Sequence, residues 1–210
     1  MLKDILETQY KKLYERFAQA DEEECKIVLL GDSMINYWPT EKFYDNDNII
    51  NRGIPGDTTK GILNRLHQLI DLKPSVVILS TGSNDLQLID DGIDNIVKRI
   101  LKIKYLLQEA IPNLEIYILS LTPILLEHEI TNYEYMVNRT NDIIDEINSE
   151  LALFTNIIDV NIYLKDLDGN LKLSYTRDGI HLTNEGYQVF SKVIAKNISQ
   201  LKLKRRFTDE

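Results

Sequence analysis

The sequence predicts an α/β fold, a three-layer α/β/α sandwich built around a parallel sheet. Short runs of aliphatic and β-branched residues alternate along the chain with longer stretches in which apolar residues recur at helical spacing. The short runs are apolar throughout, which is typical of strands that are buried on both faces of a parallel sheet. Strands joined by helices of this length need crossover connections, and these place helices on both sides of the sheet.

The elements follow in a regular order. An amphipathic helix within residues 1–24 opens the chain, since its apolar residues are separated by charged ones. We predict five strands, at 26–30, 48–51, 75–81, 114–120 and 156–160. The helical stretches between and after them are 58–70, 91–110, 133–152 and 183–199. Residues 161–176 lack a clear period and are interpreted as a long connection.

Composition limits the domain count and the class of partner. A chain of 210 residues with 43% hydrophobic residues can bury one core, so we expect a single domain over 1–210 with a polar tail at 200–210. The net charge of −9 argues against a nucleic-acid partner, because binding phosphates needs a basic face. Only residues 202–206 are locally basic, and we interpret them as a solvated helix end.

The sequence also bounds the compartment and the cofactors. The single cysteine, Cys25, excludes an intramolecular disulfide and leaves no cysteine cluster for zinc, so we interpret it as a buried thiol and expect no metal or cofactor. No secretory leader is evident, and no apolar run approaches the ~18 residues that a membrane span needs. We therefore expect a cytoplasmic protein without stable membrane insertion. The oligomeric state, including a homo-oligomer, stays open.

Four short segments carry groups that suit acyl transfer through a serine. They are Gly-Asp-Ser at 31–33, Asn-Arg-Gly at 51–53, Gly-Ser-Asn-Asp at 82–85 and Asp-Gly-Ile-His at 178–181. The first three follow predicted strands, so Ser33, Gly53 and Asn84 are expected at the carboxyl edge of the sheet, where open parallel sheets bind ligands. Acyl transfer needs a nucleophile, a base and donors to the oxyanion, and the four segments together supply all three.

Two of the first three segments have a structural alternative. Ser33 is the candidate nucleophile, yet Gly-Asp-Ser alone is typical of a helix cap. Asn84 is a candidate oxyanion donor through its amide, yet Gly-Ser-Asn-Asp alone is typical of a turn. Gly53 is a second candidate donor through its backbone N–H, and its missing side chain is expected to let substrate approach the backbone closely.

The fourth segment is more specific. A carboxylate at Asp178 can turn back to accept the Nδ1–H of His181, three residues later, and leave Nε2 for the serine. Thr183 follows as a predicted N-cap. The other two histidines, His67 in a helical stretch and His128 beside glutamates, lack such a partner and are interpreted as surface or packing residues.

The segments 27–35, 51–59, 82–86 and 175–183 resemble the GDSL, or SGNH, family of serine esterases and lipases, and within it the platelet-activating-factor-acetylhydrolase-like branch. The resemblance covers residues 26–198 and implies a flavodoxin-like sheet of strand order 2-1-3-4-5. It implies Ser33 as nucleophile and as oxyanion donor through its own N–H, with Gly53 and Asn84 as the other donors. It implies His181 as base and Asp178 as its orienting acid.

The resemblance predicts hydrolysis of an acyl or acetyl ester, either a short-chain or soluble ester such as an acetylated carbohydrate, or a lysolipid-like ester. Six aliphatic residues after the third and fourth strands are candidates for an acyl pocket or for core, namely Leu86, Leu88, Ile89, Ile124, Leu125 and Leu126. Two alternatives remain. One is a flavin- or nucleotide-binding module, but the turn after the first strand lacks the glycine pattern that binds phosphate. The other is a catalytically silent scaffold.

Overall fold

The structure, a computed structural model, describes residues 2–19, 27–45, 48–89 and 91–208. Cys25 lies outside these ranges, so its interpretation as a buried thiol stays a prediction. The chain divides into two compact units. Unit 1 comprises Met1–Tyr37 and Asn48–Ile118, and unit 2 comprises Trp38–Asp47 and Leu119–Glu210. The expectation of a single domain also stays a prediction.

The fold is α/β with a five-stranded parallel sheet of order β2-β1-β3-β4-β5, which confirms the predicted class and strand order. The strands are β1 (Ile27–Gly31), β2 (Ile49–Gly53), β3 (Val76–Ser80), β4 (Glu115–Leu119) and β5 (Ile157–Ile158). Every residue of β1 and β3 is buried, as the unbroken apolar runs predict.

Helices occupy the connections between strands. The longer ones are α1 (Leu2–Gln19), α7 (Ile93–Ala110), α8 (Asn141–Phe154) and α10 (Asn184–Asn197). The shorter ones are α2 (Ser33–Asn36), α3 (Thr40–Phe43), α4 (Thr59–Asn64), α5 (His67–Ile70), α6 (Ser83–Leu88) and α9 (Asn161–Leu164). In the described part of the chain, no helix combines the length and apolar character that a membrane crossing requires.

Strand register in unit 1 places three loop starts side by side. Gly31 at the end of β1 pairs with Gly53 at the end of β2 and with Ser80 at the end of β3. The three strands are parallel and in register, so the residues that follow them leave the sheet at the same edge. This arrangement positions the segments that carry Ser33 and Asn84.

Two predicted helices are interrupted. The stretch 58–70 forms α4 and α5 with a break at Arg65, whose backbone leaves helical geometry at φ −119° while its side chain is buried among polar partners. The stretch 133–152 begins instead as a single 3₁₀ turn, Tyr133–Tyr135. Asn138 has φ +59°, a left-handed conformation that no helix continues through, and α8 starts after the Thr140 N-cap.

One other prediction in unit 2 is wrong. Residues 202–206 are not a solvated helix end: Leu203 bridges to Tyr44, and the ring of Phe207, just beyond, packs 5.2 Å from that of Phe43. Apolar residues inside the charged tail explain this packing. The connection 161–176 runs from β5 to α10, as predicted, and contains two short elements, α9 and a 3₁₀ turn, Leu173–Tyr175.

Candidate functional site

The turn after β1 presents Ser33 as the first residue of α2. Asp32 is the N-cap, and its Oδ1 accepts the N–H of Met34 at 2.9 Å. The capping alternative is therefore true of Asp32, and it fixes the turn that holds Ser33, which is 8% exposed. A Cβ on Gly31 would lie 2.2 Å from the carbonyl oxygen of Ser80, so the strand end before the turn must be glycine.

The end of β2 is hydrogen-bonded to α2 by two asparagines. Asn36 donates from Nδ2 to the carbonyl of Gly53 at 2.9 Å, and Asn51 donates from Nδ2 to the carbonyl of Ile35 at 2.7 Å. The Oδ1 of Asn51 accepts the backbone N–H of Gly53 at 2.9 Å. The Gly53 N–H, which sequence analysis assigned to the oxyanion, is therefore bonded to Asn51. Asn51 belongs to the same motif, but the motif alone does not indicate this bond.

The structural reason for glycine at position 53 differs from the expected one. A Cβ there would lie 2.3 Å from the backbone nitrogen of Asn36, closer than any real contact. The missing side chain thus lets α2 pack on the end of β2. The explanation from substrate approach is not needed, because helix packing alone requires the glycine.

Asn84 lies one residue inside α6, after Gly82, whose φ of +122° favours glycine. Its Nδ2 donates to the carbonyl oxygen of Asp57 at 3.0 Å. Asp57 in turn forms a fully buried ion pair with Arg65, in which Nε and Nη2 each lie 2.8 Å from Oδ2. Burial raises the pKa of the Asp57 carboxyl to about 6, and the charge and hydrogen bonds of Arg65 oppose that rise.

A second buried carboxylate lies beside Asn84 in sequence. Asp85 accepts the N–H of Thr59 at 2.9 Å and the Nη2 of Arg99 at 3.0 Å, and it also accepts the hydroxyl of Thr59. Asp85 thereby joins α6 to the start of α4. Sequence analysis missed the roles of Asp57 and Asp85 and their arginine partners, because the arginines stand 8 and 14 residues away and no spacing rule links them to the motifs.

In unit 2 the structure places Asp178 against His181 as the three-residue spacing predicts. Oδ2 of Asp178 lies 2.6 Å from Nδ1 of His181, and Oδ1 accepts the backbone N–H groups of Ile180 at 3.1 Å and His181 at 2.8 Å. Burial raises the pKa of Asp178, but these hydrogen bonds and the imidazole charge outweigh it, so the pKa lies below its ordinary value. Thr183 caps α10 as predicted, accepting the N–H of Gly186.

The segment before α8 supports this loop from one side. The N–H of Leu125 donates to the carbonyl of Gly179 at 2.8 Å, and the N–H of Asn132 donates to the carbonyl of Asp178 at 2.9 Å. The ring of Tyr135 packs edge-on against the imidazole of His181, with centroids 5.5 Å apart. This aromatic contact has no sequence signature, because it depends on the path of an irregular loop.

Unit 1 thus brings together Ser33, Gly53 and Asn84 at one edge of the sheet, and unit 2 brings together Asp178 and His181. His67 is exposed and His128 is half-buried.

The six aliphatic candidates for an acyl pocket separate by burial. Leu86, Ile124 and Leu125 are core residues, and Leu126 is half-buried. Leu88 and Ile89 line a cavity of about 310 Å³ within unit 1. Leu6, Tyr10 and Pro55 also line it, together with Glu7, Gly56 and Thr58. The cavity is mainly apolar and lies between α1, the loop after β2 and the end of α6.

Comparison with known proteins gives a consistent picture. The sequence profile of the GDSL-like lipase/acylhydrolase family matches residues 29–189, most of the chain. An N-acylneuraminate cytidylyltransferase from Escherichia coli O18:K1:H7 is 27% identical over 198 residues. The match covers 92% of this chain, and the chain spans only 45% of that relative.

Two solved structures share the fold over nearly their whole length. A protein from Streptococcus pneumonia, provisionally described as a platelet activating factor, is 28% identical with a TM-score of 0.81, and 93% of this chain and 95% of that one are covered. A GDSL-like lipase from Bacteroides thetaiotaomicron is 20% identical with a TM-score of 0.76, with 91% and 97% covered. At 20% identity the second likeness concerns the fold alone.

Proposed function

The chain belongs to the GDSL-like lipase/acylhydrolase family of ester-hydrolysing enzymes, and we propose that it cleaves carboxylic esters through an acyl-enzyme intermediate on Ser33. The observation that carries this proposal is the bond between Asp178 and His181. A carboxylate on Nδ1 fixes the ring orientation and tautomer and leaves Nε2 as the base, which is the arrangement that activates a serine in triads.

Each residue has one role in the proposed reaction. The Oγ of Ser33 attacks the ester carbonyl while Nε2 of His181 takes its proton, and Asp178 stabilises the resulting imidazolium. His181 then returns the proton to the leaving alcohol, and the acyl group stays on Ser33. In the second half, His181 deprotonates a water that attacks the acyl carbonyl. His181 then returns that proton to Oγ of Ser33 as the acyl–Oγ bond breaks, so the carboxylic acid leaves and the serine is restored.

The negative oxygen of each tetrahedral intermediate needs donors. We propose the backbone N–H groups of Ser33 and Gly53 and the side-chain amide of Asn84. The Gly53 N–H faces Asn51 in this structure, so its donation requires it to share or exchange that acceptor. This requirement predicts that Gly53 contributes less than Asn84, whose nitrogen carries two N–H groups.

For the substrate we propose a short-chain or soluble ester such as an acetylated carbohydrate, with a lysolipid-like ester as the second candidate. The mainly apolar cavity of about 310 Å³ in unit 1 is at the small end of ligand pockets, which suits a compact acyl or alkyl group. Ser33, Gly53 and Asn84 do not line it, but Pro55 and Leu88, which lie close to Gly53 and Asn84 in the sequence, do.

The test is chemical labelling combined with a substrate panel. The wild type is treated with an organophosphonate and the modified peptide is identified by mass spectrometry, while p-nitrophenyl esters and acetylated sugars of graded acyl length are assayed. Ser33→Ala should abolish both labelling and hydrolysis with an unchanged thermal midpoint, and Ser199→Ala, at an exposed serine, is the control.

Hydrolysis by Ser33→Ala within tenfold of the wild type would contradict the assignment. A wild type that is neither labelled nor active on any ester would favour the alternative, a catalytically silent flavodoxin-like binding or scaffold protein.

A further inference from the structure

We propose that the buried Asp57–Arg65 pair positions the Asn84 carboxamide, so that Asp57 and Arg65 are positioning residues for ester hydrolysis. This inference rests on the proposed function, because Asn84 matters only if it stabilises an oxyanion. It goes beyond the four motifs, since Arg65 belongs to none of them and Asp57 had no assigned role.

The pair is rigid because both partners are enclosed and multiply bonded. The side chains of Arg65 and Asp57 are 0% and 1% exposed. Two guanidinium nitrogens lie 2.8 Å from Oδ2 of Asp57, while Oδ1 accepts the N–H of Thr58 at 2.9 Å. Such paired, charge-assisted hydrogen bonds fix both distance and angle.

The pair is also anchored to the strand that precedes Ser33. Nη2 of Arg65 donates to the carbonyl of Gly31 at 3.2 Å, and the N–H of Ile54 donates to that same carbonyl at 3.0 Å. The N–H of Asp57 then donates to the carbonyl of Ile54 at 3.0 Å. The backbone of Asp57 is therefore fixed relative to the end of β1 by its side chain and by the turn.

This fixed backbone determines which way the Asn84 carboxamide faces. Nδ2 of Asn84 donates to the carbonyl oxygen of Asp57 at 3.0 Å. A half-turn of the carboxamide would bring its oxygen against that carbonyl, which is repulsive, so the bond keeps the nitrogen on this side. Only the nitrogen can donate to an oxyanion, and a carboxamide facing the other way would present a partial negative charge to it.

The first test displaces Asp57 without removing a charge. A Cβ on Gly61 in α4 would lie 1.9 Å from Oδ1 of Asp57, so Gly61→Ala must shift that carboxylate, although alanine suits a helix better than glycine. Gly92→Ala is the matched control, because a Cβ there meets nothing within 4 Å. We expect Gly61→Ala to lower kcat on p-nitrophenyl acetate by about 10- to 100-fold, with KM within about twofold of wild type.

The second test asks whether Arg65 acts through Asn84. Arg65→Lys keeps the charge but loses the two-nitrogen contact, and its kcat is measured alone and in the Asn84→Ala background. We expect a loss of about tenfold or more alone and less than about threefold in the double variant, because residues that act as a unit are not additive. A purely structural role would lower kcat by the same factor in both backgrounds.

The outcomes separate the two proposals. Ester hydrolysis that depends on Ser33 supports the proposed function whatever the behaviour of Arg65→Lys. Equal losses in both backgrounds, or kcat of Gly61→Ala and Arg65→Lys within twofold of wild type, overturn the positioning role alone. A wild type without esterase activity overturns both. Thermal midpoints above the assay temperature, measured for each variant, exclude unfolding as the cause of a loss.

Discussion

The candidate residues of the two units are held in place in different ways. In unit 1, Gly53 is bonded to Asn36 of α2, and Asn84 is bonded to Asp57 of the loop after β2. Arg65, at the break between α4 and α5, donates to the strand end that precedes Ser33. In unit 2, the Asp178 carboxylate reaches its partners within three residues, so the bond to His181 forms inside one loop, and the segment before α8 supports that loop through backbone bonds.

Because of this difference, we expect substitutions in the two units to differ in how many other residues they affect. A change at Asp178 removes a local bond, so its effect should stay with His181. A substitution in unit 1 displaces buried polar groups whose hydrogen bonds join several loops. Its effect should therefore reach residues that it does not contact. Substitutions in the two units can therefore be compared for how far their effects extend.

The largest expected effect is that of Asp178→Asn on activity. The backbone N–H groups of Ile180 and His181 hold the amide oxygen on their side, so the amide nitrogen, a donor, faces Nδ1 of His181. The imidazole then takes the wrong tautomer, and kcat should fall by a factor that approaches about 10⁴, as in well-studied triads. Steady-state kinetics on p-nitrophenyl acetate measure this. A loss of less than tenfold would show that Asp178 only shapes the loop.

Asp178→Asn also tests how much the Asp178–His181 bond contributes to the stability of the fold, through the pH dependence of the thermal midpoint. Asp178 has a lowered pKa in the folded state, so the folded protein binds fewer protons than the unfolded chain at moderately acidic pH. The stability gained from the carboxylate is therefore present above its ordinary pKa and is lost as pH falls through the folded-state pKa. The thermal midpoint of Asp178→Asn should lie below wild type at pH 7, and the gap should close on acidification. A gap independent of pH would contradict this explanation.

The next effect is that of Asn84→Ala. If the amide binds the developing oxyanion more strongly than the ground-state carbonyl, kcat should fall by about 10² to 10³ with little change in KM. Asn95→Ala, at an exposed asparagine whose amide donates to the carboxylate of Asp91, is the control and should keep kcat within twofold. A raised KM with unchanged kcat would make Asn84 a binding or turn residue.

The sequence was sufficient for features that depend on short-range patterns. Unbroken apolar runs predicted β1 and β3, and the Asp178–His181 spacing predicted a bond that forms within one loop. Thr183 was predicted as a cap because capping is also a local interaction. The strand order came from the family resemblance, since no local pattern encodes it.

The missing parts depend on distant residues. Nothing in the sequence near Arg65 indicates that its guanidinium bonds to the carbonyl of Gly31. The helical period across 58–70 predicts one continuous helix, whereas the structure breaks it at Arg65. The contact of Asn51 with Gly53 is short-range, but the same asparagine also bonds to Ile35 of another element. Such contacts are determined by packing, which periodicity does not encode.

The smallest expected effect concerns Gly53 and distinguishes two reasons for its glycine. If the missing side chain serves helix packing, Gly53→Ala should lower the free energy of unfolding by about 1 to 3 kcal/mol, because the added Cβ would have to displace the backbone of Asn36. Urea denaturation measures this, with Gly92→Ala expected within about 0.5 kcal/mol of wild type.

If glycine instead serves only substrate approach, Gly53→Ala should leave urea denaturation unchanged and raise KM for the longer acyl esters. The packing explanation further predicts that activity is lost together with the correct placement of α2, so kcat should fall equally for acetyl and longer esters. If kcat of Gly53→Ala falls equally for all acyl chain lengths and its stability is lowered, the same contacts both stabilise the fold and position Gly53, a proposed oxyanion donor.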